Sequence, residues 1–409
     1  MNPLARPPLQ IFLVRDSGDL SAAPFLDGIK DVIQGNRSAE NAYLRSGEKL
    51  DVPVQELSQA LSLCDQQALL DKAMHSLFVV FVTEDSNKQM KRDWLDPLAA
   101  NLKDPDNGLI IVTMGKQIRS DLNSRYINVI DGHIRCEDLD EKRSNGQGSC
   151  IWGENEERTV WFALYTLCQA RRLLLHGIAG PSGRSRKLQI FLSHAKQDGL
   201  PLAWAMQQLI DRQTEFSSWY DAKDLAGVND WRSEIKRGIS DSTIVVLRTD
   251  GYDTRPWCRQ EFVWARDNGV PLVNVEIRQQ LERGADRLTH DGAPTVSLAD
   301  GNLFRALFSA FRENIKRLAL ERFFHAYQQQ TNLKFNQSSV IPYPPSMSQI
   351  AYAIRDLQPG SGNRYMILHQ DPPLTGVFAP AVKGLIDTFQ GSIILTTPQK
   401  IVMQTSLQP

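Results

Sequence analysis

The chain has 409 residues, which at about 100–200 residues per domain predicts roughly two to four domains. Hydrophobic residues make up 42% of it and charged residues 23%, as in folded globular proteins, so a globally disordered chain is excluded. The 46 Lys and Arg residues are balanced by 47 Asp and Glu, for a net charge of −1. Without a positive excess, nucleic acid is not favoured as the main ligand.

Apolar runs and cysteines limit the class of protein further. No apolar run approaches the roughly 18 residues of a membrane-spanning helix, and no signal-peptide segment precedes the first strand-like run. The five cysteines are widely spaced and form no CxxC pair, which favours reduced thiols over disulfides or a structural zinc site. The sequence therefore predicts a cytoplasmic protein with no membrane contact and no bound metal.

The first predicted unit, residues 1–176, alternates short apolar runs with helical patterns. The strand-like run Leu9–Leu13 is followed by apolar runs at 77–82 and 109–112, and a helix is predicted over residues 156–175. Strands that alternate with helices indicate a parallel sheet covered by helices, which is the α/β class.

A linker and an internal repeat follow. Residues 177–187 mix Gly, Pro and Ser with basic residues and are predicted to be a linker. The sequence of Leu9–Leu13 then recurs without change as Leu188–Leu192, and Trp94 and Trp257 each come about a dozen residues after a later apolar run. The repeat favours a duplicated α/β unit, with chance similarity between two α/β domains as the alternative.

The second predicted unit, residues 188–330, places polar residues where its strands end. Ser193 is expected just past the first strand, Asp221 past the second, and Trp257 and Glu261 a turn past the fourth. Ligands of parallel sheets bind at this edge. Trp257 and Glu261 are four residues apart and so share a helix face. An aromatic ring beside a carboxylate suits a nucleoside with a cationic ring, because the carboxylate can also stabilise an oxocarbenium ion on the ribose.

These motifs, in this order, resemble the TIR (Toll/interleukin-1 receptor) domain family over about residues 188–277. They are the strand that ends in Ser193 and His194, the run that starts at Tyr220 and Asp221, and the Trp-Cys-x-x-Glu run that ends at Glu261. The resemblance implies flavodoxin-like doubly wound parallel sheets. With the repeat, it implies two tandem TIR-like units and a small C-terminal α/β unit.

The resemblance also implies an activity. Many TIR domains cleave NAD at the nicotinamide–ribose bond with the glutamate that matches Glu261. This chain would then be an NAD hydrolase that needs no cofactor, is activated by self-association, and serves in bacterial antiphage defence. The residues expected near the nucleotide are Trp257, Ser193, Tyr220 and Asp221. The residues expected in a gating and assembly loop are Lys223, Asp224, Gly227 and Asp230.

Other interpretations of the same residues remain open. Glu261 is also compatible with a solvated helix position and Trp257 with a core position, while Ser193 and Asp221 suit caps of helices or turns. One alternative function is a non-enzymatic scaffold that signals by TIR–TIR assembly. Another is production of a cyclic ADP-ribose signal, in which an adenine nitrogen instead of water traps the oxocarbenium ion.

The outer units carry weaker signals. In the first unit Leu98 stands four residues after Trp94, so we expect a regulatory or assembly partner that lacks the catalytic carboxylate. A long amphipathic helix is predicted from residue 303, at the end of the TIR-like unit. After it, residues 331–409 are predicted to form a small α/β appendage with a strand at 364–369, a helix at 379–389 and a strand at 392–398.

Overall fold

In the computed structural model of the protein, the chain forms two compact units, Met1–Ser185 and Arg186–Pro409. The division lies inside the predicted linker, 177–187, although the helix before it continues to Ala179. The finer domain boundaries stay predictions. The structure describes residues 4, 6–15, 23–34, 53–57, 63–83, 94–102, 106–114, 129–131, 154–179, 187–214, 216–219, 231–240, 242–277, 293–298, 303–331, 335, 337–354, 365–370, 378–387 and 393–406.

The first unit contains a parallel five-stranded sheet in its described residues, with the order β2-β1-β3-β4-β5. The strands are β1 (Leu9–Val14), β2 (Val54–Leu57), β3 (His75–Thr83), β4 (Asn107–Met114) and β5 (Val129–Asp131). The helices are α1 (Ala23–Gln34), α2 (Leu63–Leu70), α3 (Asp96–Asn101) and α4 (Glu154–Ala179). The alternation of strands and helices confirms the α/β class predicted for this region.

The second unit contains a parallel sheet of the same kind, with the order β7-β6-β8-β9-β10. The strands are β6 (Gln189–His194), β7 (Ser217–Trp219), β8 (Ser242–Arg248), β9 (Leu272–Glu276) and β10 (Thr295–Ser297). The helices are α5 (Leu200–Gln213), α6 (Trp231–Ser240), α7 (Pro256–Asp267) and α8 (Leu303–Thr331). Counted within each sheet, both orders are 2-1-3-4-5, the doubly wound flavodoxin-like arrangement.

The central strands explain why apolar runs predicted them well. All seven residues of β8 are buried, as are five of the six in β6, because helices cover both faces of such a sheet. Two details differ from the sequence-based expectation. Among the described strands of this sheet, β8 is the third in chain order and not the fourth, and Ser193 lies inside β6 instead of just past it.

A third parallel sheet, with the order β11-β12-β13, lies at the C-terminal end of the second unit. Its strands are β11 (Gln337–Ile341), β12 (Tyr365–His369) and β13 (Ile393–Thr396). Its helices are α9 (Met347–Ile354), α10 (Phe378–Asp387) and α11 (Pro398–Ser406). The strands and the helix predicted here are present, and this region has its own apolar cluster around Ile350 and Ile367.

The amphipathic helix predicted from residue 303 is present as α8, but part of it is buried on all sides. It packs against β8 and β9 of the second sheet and against β11 and β12 of the third. Residues 306–313 are consequently buried without interruption, including the charged Arg312 and Glu313. A helix covered from two sides has no solvent face along that stretch, so the polar positions of its sequence do not mark a surface.

Within the part of the chain that the structure describes, no helix combines the length and the apolar character needed to cross a membrane.

Candidate functional site

Three polar side chains from separate elements meet at the carboxyl ends of the strands in the second unit. Ser193 is the fifth residue of β6 and is 1% exposed. Tyr252 begins a short 3₁₀ turn, Tyr252–Thr254, that follows β8, and it is fully buried. Glu261 lies in α7 and is half-buried. This edge of the sheet is where a parallel α/β fold binds its ligand.

Short hydrogen bonds join these side chains. Ser193 Oγ donates to Glu261 Oε2 over 2.6 Å. Ser193 Oγ also lies 2.7 Å from the hydroxyl of Tyr252, and either group can be the donor. The Tyr252 hydroxyl in turn lies within 3.1 Å of the backbone carbonyl of Cys258, to which it can donate. Through these contacts a central strand fixes the carboxylate of Glu261.

Tyr252 was missed by the sequence analysis. Burial raises the pKa of Tyr252 well above its ordinary value, and the neighbouring charge of Glu261 raises it further. The phenol therefore keeps its proton and remains a donor. The sequence did contain a signal for this residue, since Tyr252 lies between a predicted buried strand and the proline that begins the next helix. A tyrosine buried there usually needs a hydrogen-bond partner for its hydroxyl.

The loop after β8 is tied to the loop after β6. Asp198 accepts hydrogen bonds from the Thr249 hydroxyl and from the backbone nitrogen of Gly251, both at 2.7 Å. A Cβ at Gly251 would lie 2.9 Å from both Asp198 carboxylate oxygens, so only glycine fits beside this carboxylate without a shift. The Cys258 thiol donates to the carbonyl of His194 over 3.4 Å, as expected for a neutral buried thiol.

A buried arginine stabilises the 3₁₀ turn that carries Tyr252. Arg248 ends β8 with no exposed surface, and its Nη2 donates to Asp253 Oδ2 over 2.7 Å. Its Nη1 lies 3.6 Å from Glu276 Oε2 on β9. Two carboxylates therefore compensate the buried cation, and the pair with Asp253 holds the turn that carries Tyr252.

Trp257 occupies the first turn of α7, one helical turn before Glu261, and 43% of its surface is exposed. It is therefore not a core residue. The guanidinium carbon of Arg232, in α6, lies 5.3 Å from the centroid of the Trp257 ring. The exposed part of this indole offers an aromatic surface on which a cationic ring can stack.

The structure thus brings together three of the predicted site residues: Ser193, Trp257 and Glu261. Their roles in binding and catalysis stay predictions. The remaining predicted residues lie outside the described part of the chain, and these are Tyr220, Asp221, Lys223, Asp224, Gly227 and Asp230.

Comparison with known proteins identifies a family for this part of the chain. Residues 190–303 match the model of the TIR domain family, and this segment contains Ser193, Tyr252 and Glu261. No curated protein matches the chain significantly. The crystal structure of tagatose-6-phosphate ketose/aldose isomerase from Escherichia coli is similar at 12% identity, over 81% of this chain and 85% of that one, with a TM-score of 0.20. A TM-score that low supports no conclusion about fold or function.

Proposed function

We propose that the TIR domain formed by residues 190–303 is an enzyme that hydrolyses NAD at the nicotinamide–ribose bond, with Glu261 as its catalytic residue. The observation that carries this proposal is the Glu261 carboxylate, which Ser193 holds over 2.6 Å at the ligand-binding edge of the sheet. Nicotinamide leaves as a neutral molecule, so the leaving group needs no proton. One well-placed carboxylate is therefore a sufficient catalytic group.

The arrangement suggests how the bond is weakened. The cationic nicotinamide ring of NAD can stack on the partly exposed indole of Trp257, one turn from Glu261. As the bond breaks, positive charge moves from the ring to the ribose. A carboxylate already oriented toward that charge stabilises the transition state more than the ground state, which is the requirement for catalysis.

Two further parts of the proposal rest on the family. TIR domains commonly self-associate, and we propose that assembly of this domain switches the activity on. We also propose that the chain acts in the bacterial cytoplasm and depletes NAD in antiphage defence, for which the resemblance is the support.

The test is NAD consumption by purified protein at high concentration, with the products separated by chromatography. The wild type should release nicotinamide, and Glu261→Gln should lower the rate by about 10²–10³-fold, as for loss of one transition-state stabilising group. ADP-ribose as second product indicates hydrolysis, whereas a cyclic product indicates the cyclase. An assembled wild-type sample without turnover would contradict the proposal in favour of a non-enzymatic scaffold.

A further inference from the structure

The hydroxyl of Ser193 lies between two other side chains of the same domain. Ser193 is 1% exposed, and its oxygen lies 2.6 Å from Glu261 Oε2 and 2.7 Å from the Tyr252 hydroxyl. Glu261 is only half-buried, so a ligand at this edge of the sheet can reach the carboxylate. Ser193 is therefore placed to act on Glu261, whereas a substrate would meet almost none of its surface.

The two contacts of Ser193 have a fixed direction when Glu261 is ionised. A hydroxyl carries one proton and a carboxylate can only accept, so Ser193 donates to Glu261. The oxygen of Ser193 then accepts from Tyr252, whose phenol keeps its proton because burial raises its pKa well above the ordinary value. The order of donation is therefore from Tyr252 to Ser193 and from Ser193 to Glu261.

This order of donation favours a charged carboxylate. A hydrogen bond donated to a carboxylate stabilises the ionised form, because the bond weakens when the carboxylate is protonated. The phenol strengthens the effect, since a hydroxyl that accepts one hydrogen bond is a better donor of the next. Ser193 and Tyr252 are both buried, so the interaction acts at a lower local dielectric than it would in water.

We propose that Ser193 and Tyr252 are positioning residues, which keep Glu261 ionised and oriented for bond cleavage and so set the acid limit of the activity. This inference rests on the proposed NAD hydrolysis. It gives Ser193 a role toward the catalytic residue, in place of the substrate contact that the family resemblance implies. Loss of these hydrogen bonds should therefore change kcat and its pH dependence, and leave KM unchanged.

Other charged or titratable groups also lie around α7, which packs against the 3₁₀ turn, β6, α6 and α9. Among the described residues they are the Arg248–Asp253 pair before the helix, His194 on β6, Arg232 and Lys236 on α6, Tyr352 on α9 and Cys258 on α7 itself. Their fields act on Glu261 in the wild type and in the variants alike. A difference between two pH profiles consequently reports the hydroxyl that was removed.

The experiment follows nicotinamide release from NAD by the assembled full-length protein between about pH 4 and pH 8, a range that reaches the ordinary titration of a glutamate. Ser193→Ala should raise the midpoint of the acid limb by about one unit, as expected when a charged group loses one hydrogen bond. The sign follows because a carboxylate without its donor takes up a proton at a higher pH. Above this limb, kcat should fall about threefold to tenfold with KM within about twofold.

Tyr252→Phe is the second variant, and it removes only the phenolic oxygen. Ser193 still donates to Glu261 but loses the phenol behind it, so the midpoint should rise by about half a unit. Because Tyr252 acts through Ser193, adding Tyr252→Phe to Ser193→Ala should shift the midpoint no further. An additional shift in the double variant would contradict action through Ser193.

Ser242→Ala is a matched control on the same pair of strands. Ser242 is buried at the other end of β8, where it pairs with Gln189 of β6 and donates its hydroxyl to that side chain over 3.0 Å. Tyr343→Phe is the control for the phenol, since the buried Tyr343 donates to the backbone carbonyl of Val270 over 3.3 Å. Neither substitution should move the midpoint. Circular dichroism at each pH separates loss of activity from acid unfolding.

Two results separate the inference from the proposed function. If the wild type cleaves NAD and Ser193→Ala leaves the acid limb in place, the positioning role is wrong and the NAD hydrolase stands. A rise in KM in the same variant would then assign Ser193 to the substrate. If an assembled wild type cleaves no NAD at any pH, the proposed function fails and this inference fails with it.

Discussion

The two five-stranded sheets share one strand order, yet corresponding positions have opposite chemistry. Because Leu9–Leu13 and Leu188–Leu192 are identical in sequence, Val14 in β1 corresponds to Ser193 in β6, and the two pair with Val80 and Val246 of the neighbouring strands. The edge that binds Glu261 in the second sheet is therefore apolar at the matching place in the first. The two sheets therefore share a strand order and differ in the side chains at this edge.

The tryptophans show the difference most directly. Trp94 has no exposed surface and packs edge-on against Phe78, with ring centroids 6.2 Å apart, whereas 43% of Trp257 is exposed. Leu98, four residues after Trp94, belongs to the same apolar cluster as Trp94 and Val14. The first sheet gains burial where the second carries the polar side chains of Ser193 and Glu261.

The largest expected effect on stability comes from replacing the two tryptophans one at a time. Trp94→Ala should lower the free energy of unfolding of the first unit by about 3–5 kcal/mol, because it leaves a cavity in a closed core. Trp257→Ala should change stability by less than about 1 kcal/mol, because the ring is half exposed. Urea unfolding measures both. Equal losses of unfolding free energy from the two substitutions would contradict the contrast between the buried Trp94 and the partly exposed Trp257.

Helix α9 of the C-terminal region supports helix α7 of the second sheet, and one substitution can remove this support. Arg266 Nη2 donates to Gln349 Oε1 and Gln349 Nε2 donates to the Arg266 carbonyl, both over 2.9 Å, linking α7 to α9. Gln349→Ala should cost about 2 kcal/mol in thermal or urea unfolding, because buried polar groups lose their partners. The control Gln404→Ala, at an exposed position of α11, should stay within about 0.5 kcal/mol. A neutral Gln349→Ala would mean that α9 does not hold α7.

The smallest expected effect concerns Arg232 over the face of Trp257. An exposed cation–π contact contributes about 0.5–1 kcal/mol. If NAD competes for this face, Arg232→Ala should lower KM by about two- to fivefold with kcat unchanged.

Lys236→Ala is the control for this effect, since Lys236 Nζ lies 4.9 Å from the ring centroid of Trp264 on the same pair of helices. It should leave KM unchanged. A rise in KM for Arg232→Ala alone would show that Arg232 holds the substrate instead of competing with it.

The sequence predicted the sheets and part of the site for identifiable reasons. Fully buried parallel strands such as β6 and β8 have unbroken apolar runs, which are visible without a structure. The order of the motifs put Ser193 and Glu261 at one edge, and the structure joins them by a hydrogen bond. The positions from Tyr220 to Asp230 lie outside the described residues, so those predictions stay open.

The features that sequence analysis missed depend on pairs distant in the chain. Asp198 and Gly251 meet only because two neighbouring strands end together, and Arg248 meets Glu276 because the two are paired on adjacent strands. No local pattern encodes such a pair. The complete burial of residues 306–313 in α8 was missed for a related reason: the sequence of a helix does not reveal a second sheet that will cover its other side.

The burial of α8 between two sheets has a consequence for synthesis. Strands β11 and β12, which cover one side of this helix, are made after the entire TIR domain. A ribosome-bound chain that has not yet extended past β12 leaves α8 with an uncovered apolar side, so we expect the domain to reach its final packing only after β12 has been made. If the domain hydrolyses NAD as proposed above, the activity would in this way be delayed until β11 and β12 have been made.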